Sequence, residues 1–275
     1  MEWMLHHVNV PAHDVRETAG FFRNVIGLCD GSWIYPDTQG DLHHEDDGIA
    51  YFGIENRGLH VVRSIPTFAR DNGFMHNPTI GGHFAISVAD IDALKARLDR
   101  AAVPYSDAGI YAMAGIHQIY CYDPSFNVIE INQIKSPLPK DAVAGQDPSA
   151  DVALRHAAIP AHDVRQSAAF FRDVIGLAEA STADDRKQAL FQANGQGLRL
   201  IKPSATYARE HGFLHNPTLD AHFAMIVPTL DDVANRLDEA GIAYTEAGKD
   251  PIDGEERIFT YTPSMRLLAL LEGKS

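Results

Sequence analysis

The chain repeats itself, and this repetition constrains its fold more than any other property. Residues 5–28 (LHHVNVPAHDVRETAGFFRNVIGL) and 154–177 (LRHAAIPAHDVRQSAAFFRDVIGL) are identical at 16 of 24 positions, at an offset of 149. Residues 68–85 (FARDNGFMHNPTIGGHFA) and 207–224 (YAREHGFLHNPTLDAHFA) are identical at 11 of 18, at an offset of 139. The second copy is therefore shorter between these blocks, and the polar stretch Pro36 to Asp47 reads as the loop it lacks. The copies span residues 1–135 and 153–275. They are joined by a linker at 136–152, which overlaps a run from Lys135 to Asp151 (KSPLPKDAVAGQDPSAD) rich in Pro, Ala, Ser and Asp.

Within each copy a finer rhythm is legible. Leu5–Val10 is short and apolar-rich, ends at Pro11, and reads as a strand. Asp14 with Glu17, and Asp163 with Gln166, make capping-box patterns. The helix that follows carries Val15, Ala19, Phe22 and Ile26 on one face and stops at Gly27. Ser32–Tyr35, Ile49–Ile54 and Leu59–Arg63 are strand candidates. The unit then restarts. His83–Val88 is a strand, and Asp90 caps a helix with Ile91, Leu94, Leu98 and Ala101 on one stripe. Tyr105, Gln118–Tyr122 and Val128–Gln133 supply the strands after it. The order is βαβββ, twice per copy.

Composition excludes several classes of function. With 23 Lys and Arg against 37 Asp and Glu, the net charge is −14, a field that repels phosphate backbones and anionic lipid. No nucleic-acid or membrane partner is expected. No run approaches the ~18 apolar residues of a membrane span. The N-terminal residues lack the basic flank and apolar run of a signal peptide, and two cysteines cannot build a disulfide framework. A cytoplasmic protein is expected. Histidine is the unusual entry, with 14 residues, several of them in strand-like segments.

Paired βαβββ units, a His in the first strand, GGHFAISVADIDALKARL and YDPSFNVIEINQ resemble the vicinal oxygen chelate superfamily. That group includes glyoxalase I, bleomycin-resistance proteins and extradiol ring-cleaving dioxygenases. The resemblance covers nearly the whole chain outside the linker. It implies an α+β fold in which four βαβββ units form two cup-shaped partial barrels by tandem duplication.

Strand alternation sets the candidate site. His7 and Asn9 share one face of the first strand, His83, Ala85 and Ser87 one face of another, and Val128, Glu130 and Asn132 one face of the last. A curved sheet would turn these faces into a cup. A buried ionised Glu is costly unless paired or bound to a cation. Two imidazoles and a carboxylate form the triad typical of non-haem Fe(II) sites. The residues matching the superfamily's metal ligands are His7, His83 and Glu130. Units in this superfamily pair within a copy or swap between copies, so His156 is the alternative first ligand. The second copy keeps His156 and His222 but has Ala269 in place of Glu130. Glu272, three residues on, points to the other face. No catalytic metal is expected there.

Further residues surround this site. Tyr120 lies ten residues before Glu130, where ring-cleaving dioxygenases have a Tyr that contacts the substrate or its oxygen. Tyr122 shares its face. His60 sits near where glyoxalase I supplies a carboxylate, and reads as a substrate contact rather than a ligand. His76 reads either as part of a structural turn with Asn77 and Pro78, repeated at His215 and Asn216, or as a proton shuttle. Extradiol dioxygenases carry a His near the position of Arg70, a departure here. His43 and His44 lie in a charged loop.

The expected function is a metal-dependent enzyme acting on a small molecule with two adjacent oxygens, of extradiol-dioxygenase type. The alternatives are a glyoxalase-like lyase or isomerase, or a metal-free bleomycin-resistance-type binding protein. Fe(II) is the favoured cofactor, with Mn(II), Ni(II) and Zn(II) also suited. Tyr120, His60 and His76 are the candidate catalytic groups. The chain is expected to be a monomer or homodimer.

Overall fold

The computed structural model describes residues 3–31, 48–53, 57–110, 113, 115–134, 153–184, 187–193, 196–249 and 255–272. The first copy forms one seven-stranded sheet. Its strands are β1 (Trp3–Ala12), β2 (Ile49–Phe52), β3 (Gly58–Arg63), β4 (His83–Val88), β5 (Tyr105–Ile110), β6 (His117–Tyr122) and β7 (Val128–Gln133), in the order β2-β3-β1-β4-β7-β6-β5. Helices α1 (Val15–Phe21), α2 (Phe68–Asp71) and α3 (Ile91–Arg100) connect them.

The second copy repeats the plan with β8 (Ala153–Pro160), β9 (Glu179–Asp184), β10 (Gln188–Ala193), β11 (Gln196–Ile201), β12 (His222–Val227), β13 (Tyr244–Lys249), β14 (Glu256–Tyr261) and β15 (Leu267–Glu272). Their order is β13-β14-β15-β12-β8-β11-β10-β9, with helices α4 (Val164–Ala169), α5 (Tyr207–His211) and α6 (Leu230–Glu239). Both sheets are open. The strand expected at Ser32–Tyr35, the loop with His43 and His44, and the linker at 136–152 lie outside the described residues.

Units pair within each copy. β1 runs antiparallel to β4, and β4 runs parallel to β7. This corrects the swapped alternative: His156 belongs to β8, which lies in the second sheet between β11 and β12. His7 is the histidine that the sheet brings beside His83 and Glu130.

The helices begin where their caps predict. The Asp14 carboxylate accepts from the Glu17 N–H at 2.9 Å, and Asp163 accepts from Gln166 at 3.1 Å. The end of the first helix differs from the regular α-helix expected. Phe22–Ile26 and Phe170–Ile175 close in π-helical turns, each stopped by a left-handed glycine, Gly27 at φ 91° and Gly176 at φ 92°.

One face of each sheet is covered by these helices. Val8, Val10, Phe84, Ile86, Ile129 and Ile131 join Phe22, Leu94 and Leu98 in a core that continues into Phe171, Phe191, Phe223 and Leu237 of the second copy. Polar contacts across the copies are reciprocal. Arg97 of α3 donates to the carbonyl of Ile175 at 3.0 Å, and Arg236 of α6 donates to the carbonyl of Val25 at 2.6 Å. Thr18 meets Ser264 at 2.8 Å, and Ser167 meets Ser125 at 3.3 Å. No helix among the described residues is long and apolar enough to cross a membrane.

Candidate metal centre

The other face of the first sheet carries the polar strip that alternation predicts. In the β1–β4 ladder, Asn9 lies opposite His83 and His7 opposite Ala85; in the β4–β7 ladder, Ala85 lies opposite Glu130. Three central strands thus bring His7, His83 and Glu130 together. Each offers a ligand-type atom within 4.8 Å of the others, and all three are buried. Nε2 of His83 lies 3.1 Å and Nε2 of His7 3.5 Å from the same Glu130 oxygen, Oε2.

The electrostatics suit a cation. Burial pushes the Glu130 carboxyl up. The charges and hydrogen bonds of His7 and His83 outweigh this and hold it well below the usual carboxylate range. Burial, aided by His83, outweighs the upward pull of Glu130 and lowers the His7 imidazole from its ordinary value, so it is neutral at pH 7 with a lone pair to share. Two imidazole nitrogens converging on one side of an ionised, water-excluded carboxylate are a fitting donor set for a divalent transition metal.

Two partners were not among the residues singled out from the sequence. Gln118 donates from Nε2 to Glu130 Oε1 at 2.7 Å and so fixes the carboxylate, turning Oε2 toward the imidazoles. It is two residues from Tyr120 and on the same face, so period-two reasoning extended along β6 would have found it. His6 is different. Leu5 lies opposite Ile86 and His7 opposite Ala85, so His6 is the extra residue of a β-bulge. The bulge brings His6 Nδ1 within 2.9 Å of His7 Nδ1. If His7 presents the lone pair of Nε2, its Nδ1 carries the proton and donates to His6. Burial first, then the neighbouring His7, outweigh the upward pull of Glu130 and, with Arg57, hold His6 far below its ordinary value, so it is neutral and able to accept.

The remaining candidates separate. Tyr120 lies opposite Glu130 in the β6–β7 ladder, with its ring edge-on to His83 at 6.2 Å between centroids. Its hydroxyl is 3.5 Å from Gln118 Nε2. His60, opposite Asn9 on β3, stacks on His7 with centroids 3.8 Å apart, lining the wall beside the three converging groups. His76 engages Ser106 through Nδ1 at 2.7 Å and packs on Tyr122 at 4.5 Å. His215 does the same with Thr245 and Tyr261, at 2.7 Å and 4.9 Å. The pattern recurs in the copy without the triad, which marks a fastener of the 74–79 turn.

In the second sheet, Ala269 lies opposite Ala224 where Glu130 lies opposite Ala85. Glu272 is on the outside, accepting from the Leu230 N–H at 3.1 Å. His156 and His222 therefore share their strip with no carboxylate from β15.

Residues 153–265 match the family model described as "Glyoxalase/Bleomycin resistance protein/Dioxygenase superfamily". The chain has the fold of the vicinal oxygen chelate superfamily. Solved structures with this superfamily fold match over nearly the whole chain. The 2,3-dioxygenase LapB from Pseudomonas sp. KL28 is 12% identical, covering 100% of this chain and 92% of that one, at a TM-score of 0.64. Homoprotocatechuate 2,3-dioxygenase from Arthrobacter globiformis is 14% identical, covering 98% and 78%, at 0.63. The Mn(II)-bound glyoxalase from Novosphingobium aromaticivorans is 16% identical, covering 98% and 81%, at 0.62. A sequence comparison with curated proteins finds no match.

Proposed function

We propose that the chain is a metal-dependent enzyme of extradiol-dioxygenase type, acting on a small molecule with two adjacent oxygens, in the first module (residues 1–135). His7, His83 and Glu130 are its ligands. The observation that carries this reading is the burial of Glu130 between two imidazole Nε2 atoms, an arrangement that a metal-free pocket has no need of.

A divalent ion bound there would hold both substrate oxygens and neutralise the charge that develops on them. The chain's own groups do the rest. Gln118 keeps Glu130 in one orientation. His6 keeps the proton of His7 on Nδ1. The Tyr120 hydroxyl donates a hydrogen bond to the substrate, and His60 orients it from the β3 wall. Fe(II) is the favoured ion, because three protein ligands leave positions for substrate and O₂; Mn(II), Ni(II) and Zn(II) suit the same donors.

A glyoxalase-like isomerase is the second reading, favoured by the likeness to the Mn(II)-bound glyoxalase. It lacks a base of the expected kind, since β3 presents His60 rather than a carboxylate.

The test is anaerobic reconstitution with each ion, followed by metal analysis and an assay of oxygen uptake with catechol-type substrates. We expect about one ion per chain, and oxygen uptake with Fe(II). A protein that retains no ion after reconstitution overturns the proposal. Retention with no oxygen uptake, but with isomerisation of a 2-oxoaldehyde adduct, moves it to the second reading.

A further inference from the structure

The second cup has not simply lost its triad. At positions equivalent to Gln118, Glu130 and His60 it carries Arg257, Ala269 and Arg199. A carboxylate has gone and two guanidiniums have arrived. Both are buried, Arg257 at 3% and Arg199 at 4% exposure, beside His156 and His222. The register puts them on the concave face. Arg199 lies opposite Ala158 on β8, Ala158 opposite His222 on β12, and Arg257 opposite Leu271 on β15. All of these charges act on one ring. Burial first, then Arg199, Arg257, His222 and Arg155, hold His156 far below its ordinary value. Glu255 is engaged with Arg155 at 3.5 Å.

Two further observations point to an occupant. Nε2 of His156 is buried with no hydrogen-bond partner among the described residues, an arrangement that native interiors avoid. The same face also carries an apolar cluster separate from the main core: Ala224, Phe259, Leu267, Ala269 and Leu271. Phe259 stands edge-on to His222 with centroids 6.0 Å apart. The cup therefore has a cationic part and an apolar part. A guanidinium has five N–H donors in a planar fork, so it can grip an oxyanion beside its protein contacts.

We propose that the second cup binds a small organic carboxylate, its oxygens held by Arg199 and Arg257 and its apolar body lying on Phe259, Leu267 and Leu271. The site is distinct from the metal centre and does not depend on the reaction proposed for it. Its occupant is a ligand rather than a reactant, because the cup offers no carboxylate ligand from β15 and a Phe in place of Tyr120.

Titration calorimetry of the full chain with benzoate tests this, before and after chelation of metal. One saturable event is expected, unchanged by chelation. The double variant Arg199→His, Arg257→Gln introduces the residues that the first copy accommodates at these places, and should weaken binding by about tenfold or more. Arg257→Lys keeps the charge but not the fork and should weaken it by less, which serves if the double variant does not fold. Neutral benzamide and inorganic phosphate should both bind more weakly than benzoate. Four results overturn the proposal: no saturable benzoate binding, binding lost on chelation, binding undiminished in whichever Arg variants fold, or phosphate binding as tightly as benzoate.

Discussion

Glu130 is the side chain on which the chemistry turns, and its replacement is the sharpest test at the scale of single residues. Glu130→Gln keeps the volume and the contact with Gln118 but removes the charge between two imidazoles. Metal analysis of this variant should show occupancy falling to background, while the melting temperature of the metal-free protein moves by only a few degrees (a ΔΔG of ~1 kcal/mol). The second copy already accommodates Ala269 at this place. Gln118 and His6 act at one remove, so His6→Ala should weaken metal affinity ~10–100-fold, read by competition with a chelating dye. ¹⁵N spectra of the metal-free wild type should show His7 protonated on Nδ1; a proton on Nε2 would contradict the role given to His6.

Buried histidines away from this centre make a pH prediction. His156, His76 and His215 are each lowered from 6.5, burial being the largest cause. The folded state therefore takes up their protons less readily than the unfolded chain does. Between pH 6.5 and the lowered values the unfolded chain binds more protons, so stability rises with pH across that window and falls on acidification. Urea midpoints should drop from pH 7.5 to 5.5. In a His156→Gln variant the drop should be smaller.

At the scale of elements, local signals in the sequence were reliable where neighbours in the chain set the conformation. His83–Val88 and Val128–Gln133 are strands over the ranges that alternation and flanking turns predict. The caps at Asp14, Asp90 and Asp163 all accept the N–H three residues on. Asp14→Ala should cost ~1 kcal/mol of unfolding free energy by urea titration, with the metal centre untouched. The bulge at His6 and the π-helical turns were not legible. A bulge is defined by the strand opposite, and a π turn by the core that its aromatic residues, here Phe22 and Phe171, must reach.

At the scale of the whole molecule, the two copies bind each other as the halves of a symmetric dimer do. The same residue of each reaches the helix end of the other. Arg97 and Arg236 cap the carbonyls of Ile175 and Val25, at the ends of the π turns. Removing both guanidiniums as Arg97→Ala, Arg236→Ala should cost about 2–4 kcal/mol together. The loss should fall on the chain as a unit, because one core runs through both copies. Calorimetry should therefore show one transition at a lower temperature. Two separated transitions would mean that the shared core does not couple the copies.

The duplication, the strand faces, the helix caps and the residue types of the triad were all determined by the sequence alone, because each depends on identity and spacing over a few residues. Tertiary structure decided that His7 rather than His156 joins His83 and Glu130. It also placed Gln118 and His6 around them and gathered Arg199 and Arg257 into the other cup. Strand partners far apart in the chain are selected by burial and register across a whole sheet, and no local pattern carries that information.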